Sequence, residues 1–269
     1  MRAVHRRCGY RFYLERILRL PERRDDRELR RRDAAPGGLD GRMRGSIVHG
    51  LLEDLDLARP APWDAAGDQA ARETLVRVAA ERAGAEPDDE QVAEMAGLVA
   101  GFVASPIARR LGKARRVHRE HTFSLPLDGT LVNGVVDVVA HERDGWLVVD
   151  YKTDRLPDDA DREAYLDAAY RVQRETYALA ALRAHAPRVT VAYVLLDRPE
   201  DPIVTTYEAE HAPSLEARLR EVSAPLLEGD ARVAAVPHRD LCLGCPGRGG
   251  LCPQPVALTL REPSEVAVG

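Results

Sequence analysis

The chain has 269 residues, of which 45% are hydrophobic, and a formal net charge of −5. That size is enough for one substantial core, and the lack of any run of 18 or more apolar residues excludes an ordinary membrane-spanning helix. A negative net charge does not itself predict nucleic-acid binding, so such a surface would depend on how the charges are distributed. The basic, polar N-terminus is unlike a signal peptide, and we expect a soluble, cytoplasmic protein without membrane contacts.

The first third of the chain predicts helices separated by loops. The segments 33–39 and 59–63 are rich in proline, glycine and alanine and predict loops. Apolar residues recur at helical spacing from Ile47 to Leu57, so a helix can present His49 from one side. Residues 74–110 predict further helices with a break near 84–88. A single histidine on such a helix is more often a packed residue than a metal ligand.

A basic segment precedes the first predicted strand, which covers about 117–125. Between residues 109 and 119 there is no acidic residue and there are six basic ones: Arg109, Arg110, Lys113, Arg115, Arg116 and Arg119. Charge runs are usually solvated faces. Because this one leads directly into the strands, we interpret it as a candidate track for DNA phosphates, with Arg115 and Arg116 as DNA-binding residues.

Two apolar, β-branched runs at 131–139 and 146–153 predict a hairpin, because Asp144-Gly145 between them is a strong turn signal. A two-residue turn would pair Val139 with Asp150 and Asp137 with Lys152. Opposed residues project to one face, as do residues two apart on a strand. Asp137, Asp150 and Lys152 are therefore predicted to share a face, and Tyr151 to point the other way into packing.

Lys152 stands out because the chain has 37 arginines and only two lysines. Its ammonium is a compact charge that fits beside a metal-bound water where a planar guanidinium would not. Two carboxylates in apolar strands are costly unless they are paired or hold a cation. Asp137, Asp150 and Lys152 therefore predict metal-assisted hydrolysis; the alternative is a salt bridge at a strand end.

A helix is predicted after the hairpin at about 161–185. Tyr170, Gln173 and Tyr177 recur on it at i, i+3 and i+7, which places them on one stripe. Such a stripe can merely line a helix edge, but after the hairpin it suits a wall that faces DNA. Strands at about 189–196 and 203–207 and a helix at about 214–227 complete the predicted elements.

The four cysteines form a second candidate site. Cys242, Cys245 and Cys252 follow the spacing C-x2-C-x6-C among glycines and prolines, which is typical of a metal-binding loop. Three thiolates leave one coordination position, and Cys8 is the remaining cysteine of the chain. Disulfides fit poorly with a chain that lacks a secretory signal. Spacing alone cannot separate zinc from an iron-sulfur cluster.

Four motifs in order resemble the PD-(D/E)xK nuclease superfamily, in its RecB-like branch. They are Arg44-Gly45-Ser-Ile-Val-His49, Gly134-Val-Val-Asp137, Asp150-Tyr-Lys152-Thr and Gln173-Arg-Glu-Thr-Tyr177. The resemblance implies an α/β, restriction-endonuclease-like fold with an αβββαβ core, elaborated by N-terminal helices and a C-terminal cysteine-rich loop. We expect one nuclease domain over 1–269 with its core at about 43–230.

The same resemblance assigns roles to the residues. It implies that Mg²⁺ or Mn²⁺ is held by His49, Asp137 and Asp150, with the carbonyl of Tyr151 as a further ligand. Lys152, with Asp150 and Asp137, would be catalytic, and Gln173 and Tyr177 would bind the DNA backbone. Glu120 resembles an acidic position that precedes the hairpin in this family. By helical spacing alone, Glu53 lies one turn from His49 and could also face the metal, although surface solvation is the more usual role for such a residue.

The segment Cys8-Gly-Tyr-Arg-Phe-Tyr-Leu-Glu-Arg is similar to one in AddB-type nucleases, apart from Gly9 in place of the usual proline. That similarity implies a structural clasp in which a [4Fe-4S] cluster is bound by Cys8, Cys242, Cys245 and Cys252. Structural zinc is the alternative occupant. Such a clasp would close nearly the whole chain, and its loss should destabilise the fold before it alters the chemistry.

The expected function is a metal-dependent DNA exonuclease of recombination or repair, acting on single-stranded DNA or duplex ends. No G-x-x-x-x-G-K-[ST] motif occurs in the sequence, so we expect any helicase to be a partner subunit or a separate domain. One alternative is a nuclease-fold DNA-binding module that supports a helicase and has little activity of its own. A second is a zinc-dependent structural DNA-binding protein in which the aspartate pair is incidental.

Overall fold

The structure is a computed structural model that describes residues 8–23, 25–26, 39, 41–57, 59–64, 66–154, 156, 160–229 and 231–262. Apart from Leu39, the loop predicted at 33–39 lies outside them. The helices are α1 (Gly9–Phe12), α2 (Gly41–Glu53), α3 (Gln69–Arg82), α4 (Asp89–Ala104), α5 (Pro106–Leu111), α6 (Arg162–Arg183), α7 (Ala212–Leu227), α8 (Arg239–Cys242) and α9 (Val256–Thr259). The strands are β1 (Arg116–Leu127), β2 (Thr130–His141), β3 (Trp146–Lys152), β4 (Arg188–Leu195) and β5 (Ile203–Glu208).

By its internal contacts the chain divides into two compact units. One comprises residues 37–220 and contains the whole sheet, and the other combines residues 1–36 with 221–269 and contains all four cysteines. That these units make one nuclease domain with a core at 43–230 stays a prediction. None of the described helices is both long and apolar enough to cross a membrane.

The sheet has the strand order β1-β2-β3-β4-β5. Adjacent strands of the sheet are antiparallel, except for β3 and β4, which run parallel. A parallel pair needs a long crossover connection, and α6 supplies it. The predicted αβββαβ order is therefore confirmed, as α2, the β1-β2-β3 meander, α6 and β4.

Each face of the sheet is covered by its own apolar cluster. On one face, residues of α2, α3, α4 and α5 pack with Val138, Val149 and Tyr151. On the other, residues of α6 and α7 pack with Val139 and Val148. Because β3 is covered on both sides, its sequence WLVVDYK is almost continuously apolar. Asp150 is a carboxylate buried within this strand.

The helix that carries His49 differs from its predicted bounds. It was predicted at 47–57 but spans Gly41–Glu53. Leu55 and Leu57 lie beyond the end of the helix but pack into the same apolar cluster as the α2 residues, Leu55 buried and Leu57 partly buried. Their apolar spacing therefore comes from the turn that follows the helix. The predicted break near 84–88 is confirmed: α4 begins with a capping box, in which Asp88 accepts from the Gln91 N–H and Gln91 accepts from the Asp88 N–H.

The register of the β2-β3 hairpin corrects the prediction. His141 is opposite Trp146 and Val138 is opposite Val149, so the predicted pairs Val139–Asp150 and Asp137–Lys152 are wrong by two residues. The connection is four residues long, closed by a hydrogen bond from the Glu142 N–H to the Gly145 carbonyl. It has the predicted even length. Gly145 is buried against the backbone of Arg188, where a Cβ would lie 2.7 Å from the carbonyl oxygen. This packing on β4 explains why Asp144-Gly145 is not a free two-residue turn.

Candidate active site

A matched irregularity in β1 and β2 creates the centre of the site. Arg119 is opposite Val138 and His121 is opposite Val136, which leaves Glu120 and Asp137 between the two pairs. Glu120 has a φ of 44°, a backbone conformation that is rare for a residue with a side chain. Val136 and Val139 pack in one cluster although regular strand alternation would separate them. The alternation of β2 therefore breaks around Asp137.

Glu120, Asp137 and His49 converge at this irregularity. Each offers one ligand atom, and these atoms lie within 4.8 Å of one another. Nδ1 of His49 is 3.6 Å from Oδ1 of Asp137. Burial raises the pKa of Glu120, and the nearby carboxylates of Asp137 and Glu53 raise it further. Two carboxylates and an imidazole are a suitable donor set for a hard or borderline divalent cation.

The Arg-Gly pair of the upstream motif positions the helix that carries His49. Arg44 donates from Nη2 to the Thr153 carbonyl at 2.6 Å, and its Nη1 pairs with Glu94 of α4. At Gly45 a Cβ would lie 3.1 Å from Oγ1 of Thr153, so a side chain there would push the helix away. Both residues thus fix α2 against the end of β3.

Asp137 also contacts β3. Its Oδ2 accepts a hydrogen bond from the Tyr151 N–H at 2.7 Å. The Tyr151 ring is buried as predicted, edge-on to Phe102 with ring centroids 4.9 Å apart and to His49 at 5.9 Å. This hydrogen bond ties the Asp137 carboxylate to the strand that carries Asp150 and Lys152. Asp137, Asp150 and Lys152 do lie near one another. The break in β2, rather than regular strand alternation, brings Asp137 to this position.

Asp150 and Lys152 form a buried ion pair on the α6 side of β3. Asp150 is 3% exposed, and Nζ of Lys152 pairs with its Oδ2. Burial raises the pKa of Asp150 to about 6; Lys152 opposes this effect and Asp137 adds to it. Apart from this Nζ contact, Oδ2 has no hydrogen-bond donor among the described residues. A buried carboxylate oxygen with unused acceptor capacity fits a metal-ligating role.

The predicted stripe on α6 surrounds this pair. Lys152 donates to Oε1 of Gln173 at 3.2 Å, and its Nζ lies 4.1 Å from the ring centroid of Tyr170. Gln173 donates to the Tyr177 hydroxyl at 2.8 Å, and that hydroxyl lies 3.2 Å from Oδ1 of Asp150. The stripe therefore faces the buried pair. That Gln173 and Tyr177 bind DNA stays a prediction, and Tyr177 is only 7% exposed.

Two contributors to the site carry little or no signal in the sequence. Glu120 carried only a weak signal because nothing local predicts its backbone conformation. Tyr193 of β4 carried none: it lies opposite Asp150 in the parallel register, with its ring centroid 5.3 Å from Nζ of Lys152. Its hydroxyl donates to the Tyr170 carbonyl at 3.0 Å, which links β4 to the stripe on α6.

The predicted basic track lies at the start of β1. Arg115 and Arg116 are exposed. Arg110 instead forms a bidentate pair with Glu142, with both N–O distances at 2.6 Å. Arg119 donates to the Leu55 carbonyl beyond α2. Arg109 donates to the Ala104 carbonyl at 2.5 Å. Three of the six basic residues are thus engaged within the fold, and a DNA-binding role for Arg115 and Arg116 stays a prediction.

The four cysteines converge in the other unit. Cys8, Cys242, Cys245 and Cys252 are free thiols that line one small cavity. The pKa of Cys242 is raised to about 11, mainly by burial and in part by the other three thiols. A metal ligand has to be a thiolate, so binding would displace protons from this site. The four thiols thus line one cavity, and that they bind a metal stays a prediction.

Polar contacts hold the cysteine loop in place. Asp26 is fully buried and pairs with Arg248, whose Nε lies 3.0 Å from Oδ2, and the same oxygen accepts from the Gly244 N–H at 2.8 Å. Arg11 donates to the Leu241 carbonyl at 2.5 Å and to the Leu243 carbonyl at 3.3 Å. Both cysteine segments are thereby anchored without any metal bond.

Comparison with known proteins agrees with the site. A family model described as the PD-(D/E)XK nuclease superfamily matches residues 3–253, which include both units and all four cysteines. The chain belongs to this superfamily. The predicted restriction-endonuclease-like α/β fold is thereby confirmed together with the sheet order.

Relatives of this nuclease domain are parts of much longer proteins. An ATP-dependent helicase/nuclease subunit from Heliobacterium modesticaldum is 34% identical over 136 residues, which are 46% of this chain and 9% of that protein. The corresponding protein of Desulforudis audaxviator is 33% identical over 177 residues, 59% of this chain and 13% of that protein. The chain thus spans about a tenth of the length of the curated relatives it matches.

Proposed function

We propose that this nuclease domain is a Mg²⁺- or Mn²⁺-dependent deoxyribonuclease, an exonuclease of recombination or repair that works beside a helicase. The observation that carries the proposal is the convergence of His49, Glu120 and Asp137 next to the buried Asp150–Lys152 pair. Membership of the nuclease superfamily supports the reaction class. The relatives are named as ATP-dependent helicase/nuclease proteins, which supports DNA as the substrate and a helicase as the partner.

The residues fit their proposed roles. His49, Asp137 and Asp150 would hold the cation with the Tyr151 carbonyl, and Glu120 is an added candidate. When bound, a divalent cation lowers the pKa of a coordinated water and neutralises charge on a phosphate oxygen. The Lys152 ammonium lies between the Asp150 carboxylate, the Gln173 amide and the Tyr170 ring, where it can orient the attacking water or stabilise developing charge.

A cleavage assay with matched variants tests this function. End-labelled single- and double-stranded linear DNA and circular DNA would be incubated with Mg²⁺, with Mn²⁺ or with a chelator. We expect cleavage of linear DNA that needs a cation and is abolished by Asp150→Asn. The control is Asp144→Asn, an exposed carboxylate in the turn of the same hairpin, which should cleave normally.

Two results would overturn the proposal. One is full activity of folded Asp150→Asn, and the other is cleavage that persists with the chelator. Cation-independent binding of DNA without cleavage of any substrate would instead favour the alternative function, a DNA-binding module that supports a helicase.

We further propose that the four thiols bind a [4Fe-4S] cluster, with structural zinc as the alternative. The four thiols line one small cavity, and the similarity of the Cys8 segment to AddB-type nucleases supports the cluster. Metal analysis and visible absorbance of anaerobically purified protein would separate the two; zinc without iron would rule out the cluster.

A further inference from the structure

A row of aromatic rings crosses the first three strands on the α6 side of the sheet. The ring centroids of His121 and His118 are 5.4 Å apart, and those of His118 and His141 are 5.5 Å apart. His141 stacks on Trp146 at 4.3 Å with the ring planes 20° apart. All four rings are partly exposed. We call these four residues the aromatic row; none of them takes part in the proposed chemistry.

Strand register explains how the row forms. His141 is opposite both Arg116 on β1 and Trp146 on β3, so these three side chains share a face. His118 lies two residues beyond Arg116 on the same face. The break at Glu120 then returns His121 to that face, because its partner Val136 packs with Val139. The row therefore starts at the residue that follows Glu120 in β1 and leads away from it.

The surroundings of the row favour an anionic ligand. Arg115 and Arg116 are exposed at the same end of β1 as His118, and the segment 109–119 contains no acidic residue. The Glu142 carboxylate nearby is already paired with Arg110. Rings in a line beside guanidinium groups are the arrangement with which proteins bind single-stranded nucleic acid, since bases stack on the rings and phosphates pair with the cations.

A metal site formed by the three histidines fits less well. Their rings follow one another in a line, with His118 in the middle, rather than facing a common point. The group of metal-ligand atoms found among the described residues includes none of the three. A series of flat ligands suits this geometry better than one ion does.

We propose that the aromatic row binds unpaired bases of the DNA strand next to the phosphodiester that is cleaved. This inference rests on the proposed nuclease function and extends it, because it assigns a single-stranded segment to a particular surface. Duplex DNA keeps its base faces stacked within the helix, so the row discriminates in favour of unpaired strands.

Binding without cleavage tests the proposal. Fluorescence anisotropy with a short labelled oligothymidylate and a blunt duplex would be recorded in chelator, where the nuclease is inactive. We expect the double variant His118→Ala, His141→Ala to bind the single strand at least about tenfold more weakly, with little change for the duplex. His118→Phe keeps a ring and should bind nearly normally, whereas His118→Lys keeps only a charge and should not.

Controls separate this surface from the fold and from the catalytic site. His185→Asn removes an exposed histidine outside the row, at a position of positive φ that asparagine tolerates, and should bind normally. The row also predicts quenching of Trp146 fluorescence by bound single strands, since the other tryptophan, Trp63, is buried.

The proposal for the aromatic row is wrong if the folded double variant loses affinity equally for single strand and duplex, or if its affinity for the single strand is unchanged. Normal cleavage in either case would leave the proposed function standing. If the wild-type protein binds the single strand but cleaves no DNA, the proposed nuclease function is wrong and the binding role of the aromatic row still stands.

Discussion

The two candidate metal sites of this chain differ in how their ionisable groups are compensated. At the carboxylate site, Asp150 pairs with Lys152 and Asp137 accepts from the Tyr151 N–H, so protein groups offset part of the cost of burying these charges. At the cysteine site, burial raises the pKa of Cys242 to about 11 and that of Cys245 above its ordinary value. Those thiols remain protonated until a metal displaces the protons.

This difference suggests a division of labour. A site whose charges are balanced by protein groups keeps its shape without a cation, which suits a catalytic metal that exchanges with solvent. A site of neutral thiols gains stability when a metal displaces their protons, which suits a structural centre. Variants at the first site should therefore change activity, and variants at the second should change stability.

The largest expected effect is on stability, at the buried pair that anchors the cysteine loop. Removing Asp26 leaves Arg248 buried without its partner, which typically costs about 3–5 kcal/mol. We expect Asp26→Ala to lower the free energy of unfolding measured in urea by that amount and to reduce the bound metal. Asp25→Ala, at the exposed neighbouring aspartate, should change stability by less than about 1 kcal/mol. Equal stabilities of the two variants would break the comparison.

At the carboxylate site we expect a large loss of activity and a smaller loss of stability, because Asp150, whose pKa is raised by burial, takes up a proton when Lys152 is removed. Lys152→Ala removes the ammonium that contacts Asp150 and Gln173, and kcat should fall by about 10²–10³-fold, as for other groups that stabilise developing charge. Its thermal midpoint should stay close to that of Arg143→Ala, a control at the exposed tip of the β2-β3 hairpin. A large drop in the midpoint would make Lys152 a structural residue instead.

Metal affinity at the carboxylate site should fall in acid. Burial raises the pKa of Asp150 to about 6. Burial lowers the pKa of His49, but the Asp137 carboxylate raises it by more, so the net shift is upward. Both groups bind metal only when deprotonated, so below pH 6 the Kd for Mn²⁺ should rise at least about tenfold per pH unit. Titration calorimetry between pH 5 and 7 measures this. A flat profile would mean that neither group is a ligand.

The sequence predicted those parts of the site that depend on local motifs. His49, Asp150 and Lys152 lie in short segments whose spacing is visible in the chain, and the gathering of these segments follows from the αβββαβ order. The stripe of Tyr170, Gln173 and Tyr177 follows from helical periodicity alone. All of these residues lie at the site.

The rest depends on contacts between distant segments. Gly145 looks like part of a two-residue turn, and its packing on Arg188 shifts the hairpin by two residues. Tyr193 reaches the site because β4 pairs in parallel with β3 in one particular register. The positive φ of Glu120 arises where two strands break together. None of these three features has a local sequence signal.

The smallest expected effect distinguishes positioning from DNA binding on α6. Tyr177→Phe removes a hydroxyl that contacts Asp150 and Gln173 and lies 3.0 Å from the Val135 carbonyl, a loss of about 1 kcal/mol. Because Tyr177 is buried beneath the Asp150–Lys152 pair, we expect kcat to fall by about fivefold while the Kd for DNA stays unchanged. Tyr13→Phe, at an exposed tyrosine in the cysteine unit, serves as the control. A higher Kd with normal kcat would instead support the predicted contact between Tyr177 and the DNA backbone, and the hydroxyl would then have to leave Asp150 to make it.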